Sequence, residues 1–252
     1  MIESLSAGRA LGDIANLVWR DGEGQFVHNG RAFAASETAS IPLPSRDLVR
    51  QYLPEYFVLF DKPDSSVVTT RGCPYRCNFC GVWEFYGGKV RQMTAPRVLE
   101  ETRHVETKHI TFMDDNFLIN YRRELEVAER IKAEGINLHY SMQCRSDSIA
   151  RHPKLIEKWV DIGLQWVLLG LEGASDRMLQ NVNKMNTARA NDEAIRILKA
   201  NGVIIWGAFI VDPQWESDDF QALRDYVYRQ GITHTQFTVL TPLPGTRLYR
   251  ER

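Results

Sequence analysis

The sequence predicts an α/β fold: a parallel sheet with helices packed outside it, arranged as a partial (βα)6 barrel. Three observations predict it. First, four stretches of helical apolar spacing each end at a glycine, Gly135, Gly163, Gly202 or Gly231, where a helix C-cap favours a left-handed residue. Second, each of those glycines opens an apolar run, so that strands are expected near 67–70, 109–113, 137–143, 165–170, 204–211 and 235–240. Third, the stretches between these runs carry one apolar face each: Leu125, Ala128 and Ile131, then Leu155, Ile156 and Trp159, then Ala194, Ile195 and Leu198, then Phe220, Leu223 and Val227. Six such units suit a partial barrel better than a complete eight-unit one, and a doubly wound sheet is the rival with the same alternation.

Composition narrows the function classes. Among 252 residues, 31 Lys and Arg face 32 Asp and Glu, so no global field points to nucleic acid or an anionic membrane, although local basic patches remain open. A hydrophobic content of 44% is ordinary for a globular domain, and no apolar run approaches the roughly 18 residues needed to span a bilayer. The first residues, Met1 to Ser6, lack a basic start and an apolar stretch. A cytoplasmic protein is expected, in which clustered thiols serve metal binding or catalysis rather than disulfides.

Taken in order, residues 1–45 read as a hairpin and linker, a remnant leading from an upstream domain, and residues 46–252 as the core barrel. Leu17–Arg20 and Gln25–His28 flank a glycine-containing turn, Asn29–Ser40 is a polar linker, and Ile41-Pro42-Leu43-Pro44 is a stiff connector. A short helix over Ser45–Tyr52 is expected with Ser45 as its cap. The first strand, Ser66–Thr70, then delivers the cysteines, and the aromatic Trp83–Lys89 segment that follows packs over the metal site or meets substrate. Thr94 caps a helix with Pro96 in its first turn and Val98, Leu99 and Val105 on one face, while Pro153 and Thr187 start later helices.

The chemistry concentrates in Cys73-Pro-Tyr-Arg-Cys77-Asn-Phe79-Cys80. A structural zinc site or a standard iron–sulfur cluster takes four protein ligands, whereas three thiols leave one coordination position open. Zinc completed by His104 or His109, and inert buried thiols, are the alternatives. This Cys-x3-Cys-x-aromatic-Cys pattern resembles the cluster loop of the radical S-adenosylmethionine (SAM) enzymes. The resemblance covers roughly Ser66 to Leu248 and implies an open six-stranded barrel, with Cys73, Cys77 and Cys80 holding a [4Fe-4S] cluster whose fourth iron is chelated by SAM.

Ligands of parallel βα folds gather at the strand C-terminal ends, and candidate SAM contacts stand there. Asp114 and Asp115 lie in Phe112-Met-Asp-Asp-Asn-Phe117, similar to the family's second-strand motif, and either is equally a helix cap. Arg145 can meet the SAM carboxylate or pair with Asp147 or Glu172. Glu172, in Gly170-Leu-Glu-Gly-Ala-Ser175, resembles the family's ribose- or ammonium-binding glutamate, with an ion pair to Arg145 as its structural alternative. Cys144 reads as a packed core thiol. Asp212-Pro213-Gln214-Trp215-Glu216 departs from the family's Gly-Phe-Pro-Gly-Glu turn, which puts that loop's role in doubt.

The connector at Ile41–Leu48, the turn Thr241-Pro-Leu-Pro-Gly-Thr-Arg-Leu-Tyr249 and the Cys80-Gly-Val-Trp-Glu-Phe-Tyr-Gly-Gly88 run resemble the cobalamin-dependent branch, which includes the hopanoid C-3 methylases. That resemblance implies SAM cleavage to a 5′-deoxyadenosyl radical, cobalamin-dependent methylation of an unactivated carbon in a small-molecule or lipid substrate, and an electron donor such as flavodoxin or ferredoxin. No cobalamin motif precedes Ile41, so a fragment of a longer protein, a separate cobalamin partner, or work without cobalamin are the options, and the abrupt end favours a fragment. A radical SAM oxidoreductase or cyclase without methyl transfer, and a zinc-stabilised binding module, are the rival functions. No general base can be named.

Overall fold

The computed structural model describes residues 2–30, 41–59 and 61–251, so the expected linker lies outside the described residues from residue 31 onward. The chain forms two compact units, Met1–Ser36 and Glu37–Arg252. In the first, helix α1 (Ile2–Ser6) precedes the expected hairpin of β1 (Val18–Arg20) and β2 (Phe26–His28), paired antiparallel with Trp19 opposite Val27. Asp21 Oδ1 accepts from the Glu23 and Gln25 backbone across the turn, and Asn29 Nδ2 ties the hairpin to Leu11 O and Ile14 O. Ile14 is the only buried apolar side chain among this unit's described residues, so the polar bonds carry much of its order.

The second unit opens on a 3₁₀ helix, Arg46–Glu55, where an α-helix over Ser45–Tyr52 was expected. Ser45 makes no capping bond, Pro54 removes a donor, and no side chain of the segment is buried, so packing does not enforce α geometry. The sheet elements then follow in sequence: β3 (Asp64–Val67), the short strand β4 (Thr70–Arg71), α2 (Val82–Phe85), β5 (Arg91–Gln92), α3 (Ala95–Arg103), β6 (His109–Phe112) and α4 (Tyr121–Ala133). Next come β7 (His139–Arg145), α5 (Ser146–Arg151), α6 (Pro153–Asp161), β8 (Leu164–Glu172), α7 (Asp176–Asn181) and α8 (Ala188–Ala200). The unit ends with β9 (Ile204–Val211), α9 (Ser217–Arg229), β10 (His234–Val239) and α10 (Arg247–Arg250).

Six strands form one parallel sheet in the order β10-β9-β8-β7-β6-β3. The order never reverses, which a doubly wound sheet requires, and β3 and β10 are its two edges, so the architecture is the open six-stranded partial barrel. Strand β3 begins and ends earlier than expected. The Thr69 and Thr70 N–H groups turn to Asp114 instead of continuing the ladder, and Thr70–Arg71 pairs antiparallel with Arg91–Gln92.

Helices α4, α6 and α8 bury the faces read from their spacing, with Ala128, Ile131, Leu155, Ile156, Trp159, Ala194, Ile195 and Leu198 all buried. Trp159 stands edge-on to Phe112, Phe117 and Tyr140, at centroid distances of 5.6, 5.1 and 5.6 Å, and forms the centre of the core with them. On α9, Leu223 and Tyr226 are buried, but Phe220 is half exposed and meets Trp215 at the helix start. Thr187 Oγ1 caps α8 at Ala190 N, whereas Thr94 makes no such bond and Pro96 alone marks the start of α3. Among the described residues no helix is long and apolar enough to cross a membrane.

Candidate active site

The cysteine loop runs from β4 to α2 beside the C-terminal ends of the sheet strands, and its three cysteines are free, Cys77 buried and Cys73 and Cys80 partly so. Asp114 anchors its entry. This carboxylate is fully buried, accepts from Thr69 N at 2.6 Å, Thr69 Oγ1 at 2.6 Å and Thr70 N at 2.7 Å, and has its protonation raised by burial against those bonds. Arg123 closes the same joint, donating to Thr69 Oγ1 at 2.6 Å and Thr69 O at 3.1 Å. Asp115 is exposed, and its Oδ2 accepts from Gly72 N at 2.9 Å. Gly72 itself is required: its φ is 95°, and a Cβ there would meet Lys89 O at 2.2 Å.

A second clamp comes from the turn after α7. Asn78 N donates to Val182 O at 3.2 Å, Asn78 Nδ2 to Asn181 O at 2.9 Å, and Asn183 Nδ2 to Arg76 O at 2.6 Å. Trp83 Nε1 donates to Cys77 O at 3.0 Å, which assigns at least this member of the aromatic segment to holding the loop. Burial raises the Cys73 and Cys80 thiols above their ordinary range.

Arg145, at the end of β7, is buried behind the loop: Nη1 lies 3.8 Å from Cys77 Sγ, Nε donates to Asp147 Oδ1 at 2.8 Å and Nη2 to Lys184 O at 2.7 Å. Of the ion pairs open to it, the structure has Asp147. Glu172 is half buried and pairs with Lys184, Oε1 to Nζ 2.7 Å, not with Arg145. Its φ of 61° is the left-handed region, at a register shift between β8 and β9, so the backbone is bent to present this side chain. Cys144 packs in the core, where burial pushes its thiol up strongly.

Lys184 is the site residue missed in the sequence. It is 4% exposed, and a Cβ on Gly170 would stand 2.9 Å from its Nζ, so Gly170 makes room for it. Its surroundings, Asn183-Lys184-Met185-Asn186, read as an ordinary polar turn; a lysine soon after the Glu172 motif was the available signal. The zinc alternative loses its completing ligands: His109 Nδ1 faces Asp61 at 3.0 Å at the opposite end of β6, and His104 Nδ1 bonds Glu100 O at 2.8 Å. Among the described residues no three His, Cys, Asp or Glu side chains converge on a single-ion site. A set of three free thiols on one loop, with an N–H donor behind Cys77, fits a multi-iron cluster, in which each thiolate takes its own iron.

The fold is an open parallel βα barrel with a three-cysteine loop at its strand ends. The chain belongs to the radical SAM superfamily, whose family model matches residues 67–227. It is similar to the hopanoid C-3 methylase of Methylococcus capsulatus, 31% identical over 204 residues, covering 81% of this chain and 39% of that protein. It is also similar to an uncharacterized methyltransferase of Pyrococcus horikoshii, 30% identical over 254 residues, covering 99% of this chain and 54% of the relative. Among solved structures, the cobalamin-dependent SAM radical enzyme OxsB with aqua-cobalamin and SAM bound shares the fold, with a TM-score of 0.77, 19% identity, and coverage of 99% of this chain and 36% of that one. The chain thus spans about half or less of the proteins it matches.

Proposed function

We propose that this chain is the catalytic core of a radical SAM methyltransferase acting on an unactivated carbon of a small-molecule or lipid substrate. The carrying observation is the set of three free cysteines on a loop clamped by Asp114, Asp115 and the turn after α7. When bound, a [4Fe-4S] cluster and SAM supply a 5′-deoxyadenosyl radical for hydrogen abstraction, and cobalamin, if carried by a further part of the protein or a partner, supplies the methyl carrier.

The chain's own residues do the holding. Cys73, Cys77 and Cys80 are the cluster ligands. Asp115 is exposed and Glu172 has only its Oε1 paired, with Lys184, so these two are the groups to receive the SAM ammonium or ribose. Asp114 has its oxygens committed to Thr69 and Thr70, so we assign it to shaping the loop rather than touching SAM, and Arg145, committed to Asp147, Cys77 and Lys184, likewise acts from behind the loop. The free thiols call for a reducing, cytoplasmic setting and an electron donor of the flavodoxin or ferredoxin kind. Methyl transfer is favoured over cyclase or oxidoreductase chemistry by the methyltransferase and methylase names of the two relatives at 30% identity or more.

The test is iron and sulfide analysis of anaerobically reconstituted protein. About four irons and four sulfides per chain are expected, with absorbance near 400 nm that bleaches with dithionite and is lost in Cys77→Ala. Incubation with methyl-labelled SAM then separates the chemistries: label in product supports methylation, and 5′-deoxyadenosine without label transfer supports the cyclase-type rival. Zinc without iron would overturn the proposal.

A further inference from the structure

The cysteine loop rests on a buried cation. Arg145 and Cys77 are 5% and 6% exposed, and Arg145 Nη1 lies 3.8 Å from Cys77 Sγ, within reach of a hydrogen bond to sulfur. The guanidinium also lies over the Tyr75 ring, 3.6 Å from its centroid, and Tyr75 belongs to the loop itself. Its remaining donors are committed to Asp147 Oδ1 and to Lys184 O, so it cannot swing away without breaking both. Asp147 does not cancel its charge alone: Arg151 pairs with the other oxygen, Oδ2, at 2.5 Å, so two arginines share one carboxylate. Across the loop, Lys184 and Glu172 neutralise each other, and Asp115 lies toward Cys80. These charges balance over the whole loop, but they are unevenly placed: Arg145 is the buried cation that meets Cys77, while Asp115 acts on the Cys80 side and Arg151 is exposed.

We propose that Arg145 is a positioning residue that tunes the cluster: it donates an N–H to the Cys77 thiolate and holds a buried positive charge that makes the cluster easier to reduce, with Asp147 moderating that charge. The inference rests on the reading that the three cysteines hold a cluster. Reduction adds one electron, delivered by a low-potential one-electron donor, and breaks no bond. The added negative charge is attracted to a fixed cation at low dielectric and strengthens the N–H···S bond, so both effects favour the reduced form over the oxidised one. A residue serving only as a clasp for the SAM carboxylate would need a free fork, and both terminal nitrogens of this one are engaged.

The experiment is a redox titration of the anaerobically reconstituted, SAM-free protein, following the reduced cluster by electron paramagnetic resonance. The unaltered chain is compared with Arg145→Gln, Arg145→Lys and Asp147→Asn. Arg145→Gln is expected to lower the ratio of reduced to oxidised cluster at fixed poise at least tenfold, a shift of about 59 mV or more to more negative potential for a one-electron couple. Arg145→Lys should shift less than Arg145→Gln, and Asp147→Asn should shift the midpoint the opposite way, to more positive potential. An Arg145→Gln protein that loads its iron and keeps the parent midpoint, losing only SAM affinity, would overturn the proposal. If Arg145→Gln does not load, Asp147→Asn decides: a positive shift supports the tuning role, and no shift or a negative one refutes it. Failure of the unaltered chain to assemble any cluster would remove the underlying reading itself, and is distinguishable because no midpoint is then measured for any protein.

Discussion

Asp114 and Asp115 are identical neighbours in the sequence, yet one is sealed in the protein and the other faces solvent. The pleat alone does not divide them: Asp114 keeps the parity of Ile110 and Phe112, but Thr111, on the parity of Asp115, is buried as well, because β6 is covered on both faces. What separates the two is a set of donors that the sequence could not show, Thr69 and Thr70, some 45 residues earlier. Asp114→Ala should cost about 3–5 kcal/mol, since it strands two buried N–H groups and the buried Thr69 hydroxyl, whereas Asp115→Ala should cost less than about 1 kcal/mol; urea melts of the two measure the contrast. Asp64 offers a pH test. Burial and, more weakly, the neighbouring Asp61 charge push its carboxyl from 3.8 up to about 6, against a bond from Thr111 Oγ1. Between those values the folded chain holds a proton that the unfolded chain has released, so stability falls as pH rises through that window and the cost persists above it. Asp64→Asn should therefore be more stable than the parent by about 1–3 kcal/mol at pH 7.5, with a flatter profile between pH 4 and 6, in urea melts across that range.

At the scale of elements, the glycine punctuation carried the most information, and each of the four glycines has positive φ: 63° at Gly135, 112° at Gly163, 70° at Gly202 and 49° at Gly231. They are not equivalent. A Cβ on Gly135 meets nothing within 4 Å, while one on Gly163 would stand 2.3 Å from Leu138 O. Gly135→Ala should cost about 1 kcal/mol, the strain of a left-handed alanine, and Gly163→Ala about 3 kcal/mol or more because backbone must shift between β7 and β8; a thermal melt of each pair member tests the ranking, and equal costs would mean that the β7–β8 joint yields easily. The helix faces were legible because each buries one stripe against the sheet. The end of β3 was not, because a carboxylate competed with the ladder for the Thr69 and Thr70 N–H groups. The clamp after α7 was illegible for a related reason: Asn181, Val182 and Asn183 act on Arg76 and Asn78, more than 100 residues away, and polar turns carry no periodicity that points to a distant partner.

The whole sheet winds in one direction, so each βα unit lies beside the one before it, and this is why six repeats in sequence translate directly into six neighbours in space. The same winding leaves a consequence at its far edge. Strands from β3 to β9 bury their outer faces in one continuous core with α3, α4, α6, α8 and α9. Beyond α9 the cover stops: Phe237 and Val239 of β10 are 54% and 57% exposed, and Val211, Leu223, Val227, Ile232 and Phe237 line an apolar groove of 600 Å³. Edge strands with exposed apolar side chains pair with other chains unless blocked, and β10 carries no lysine, proline or bulge to block it. The 252-residue chain alone should therefore self-associate as its concentration rises, seen as a growing sedimentation coefficient. Val239→Lys adds a charge on that edge, where the side chain has open solvent, and should return the chain toward monomer with little change in its melting temperature. If the parent and Val239→Lys instead sediment alike at every concentration, the edge of β10 is not the surface through which these chains meet, and the groove's apolar lining is tolerated in water as it stands.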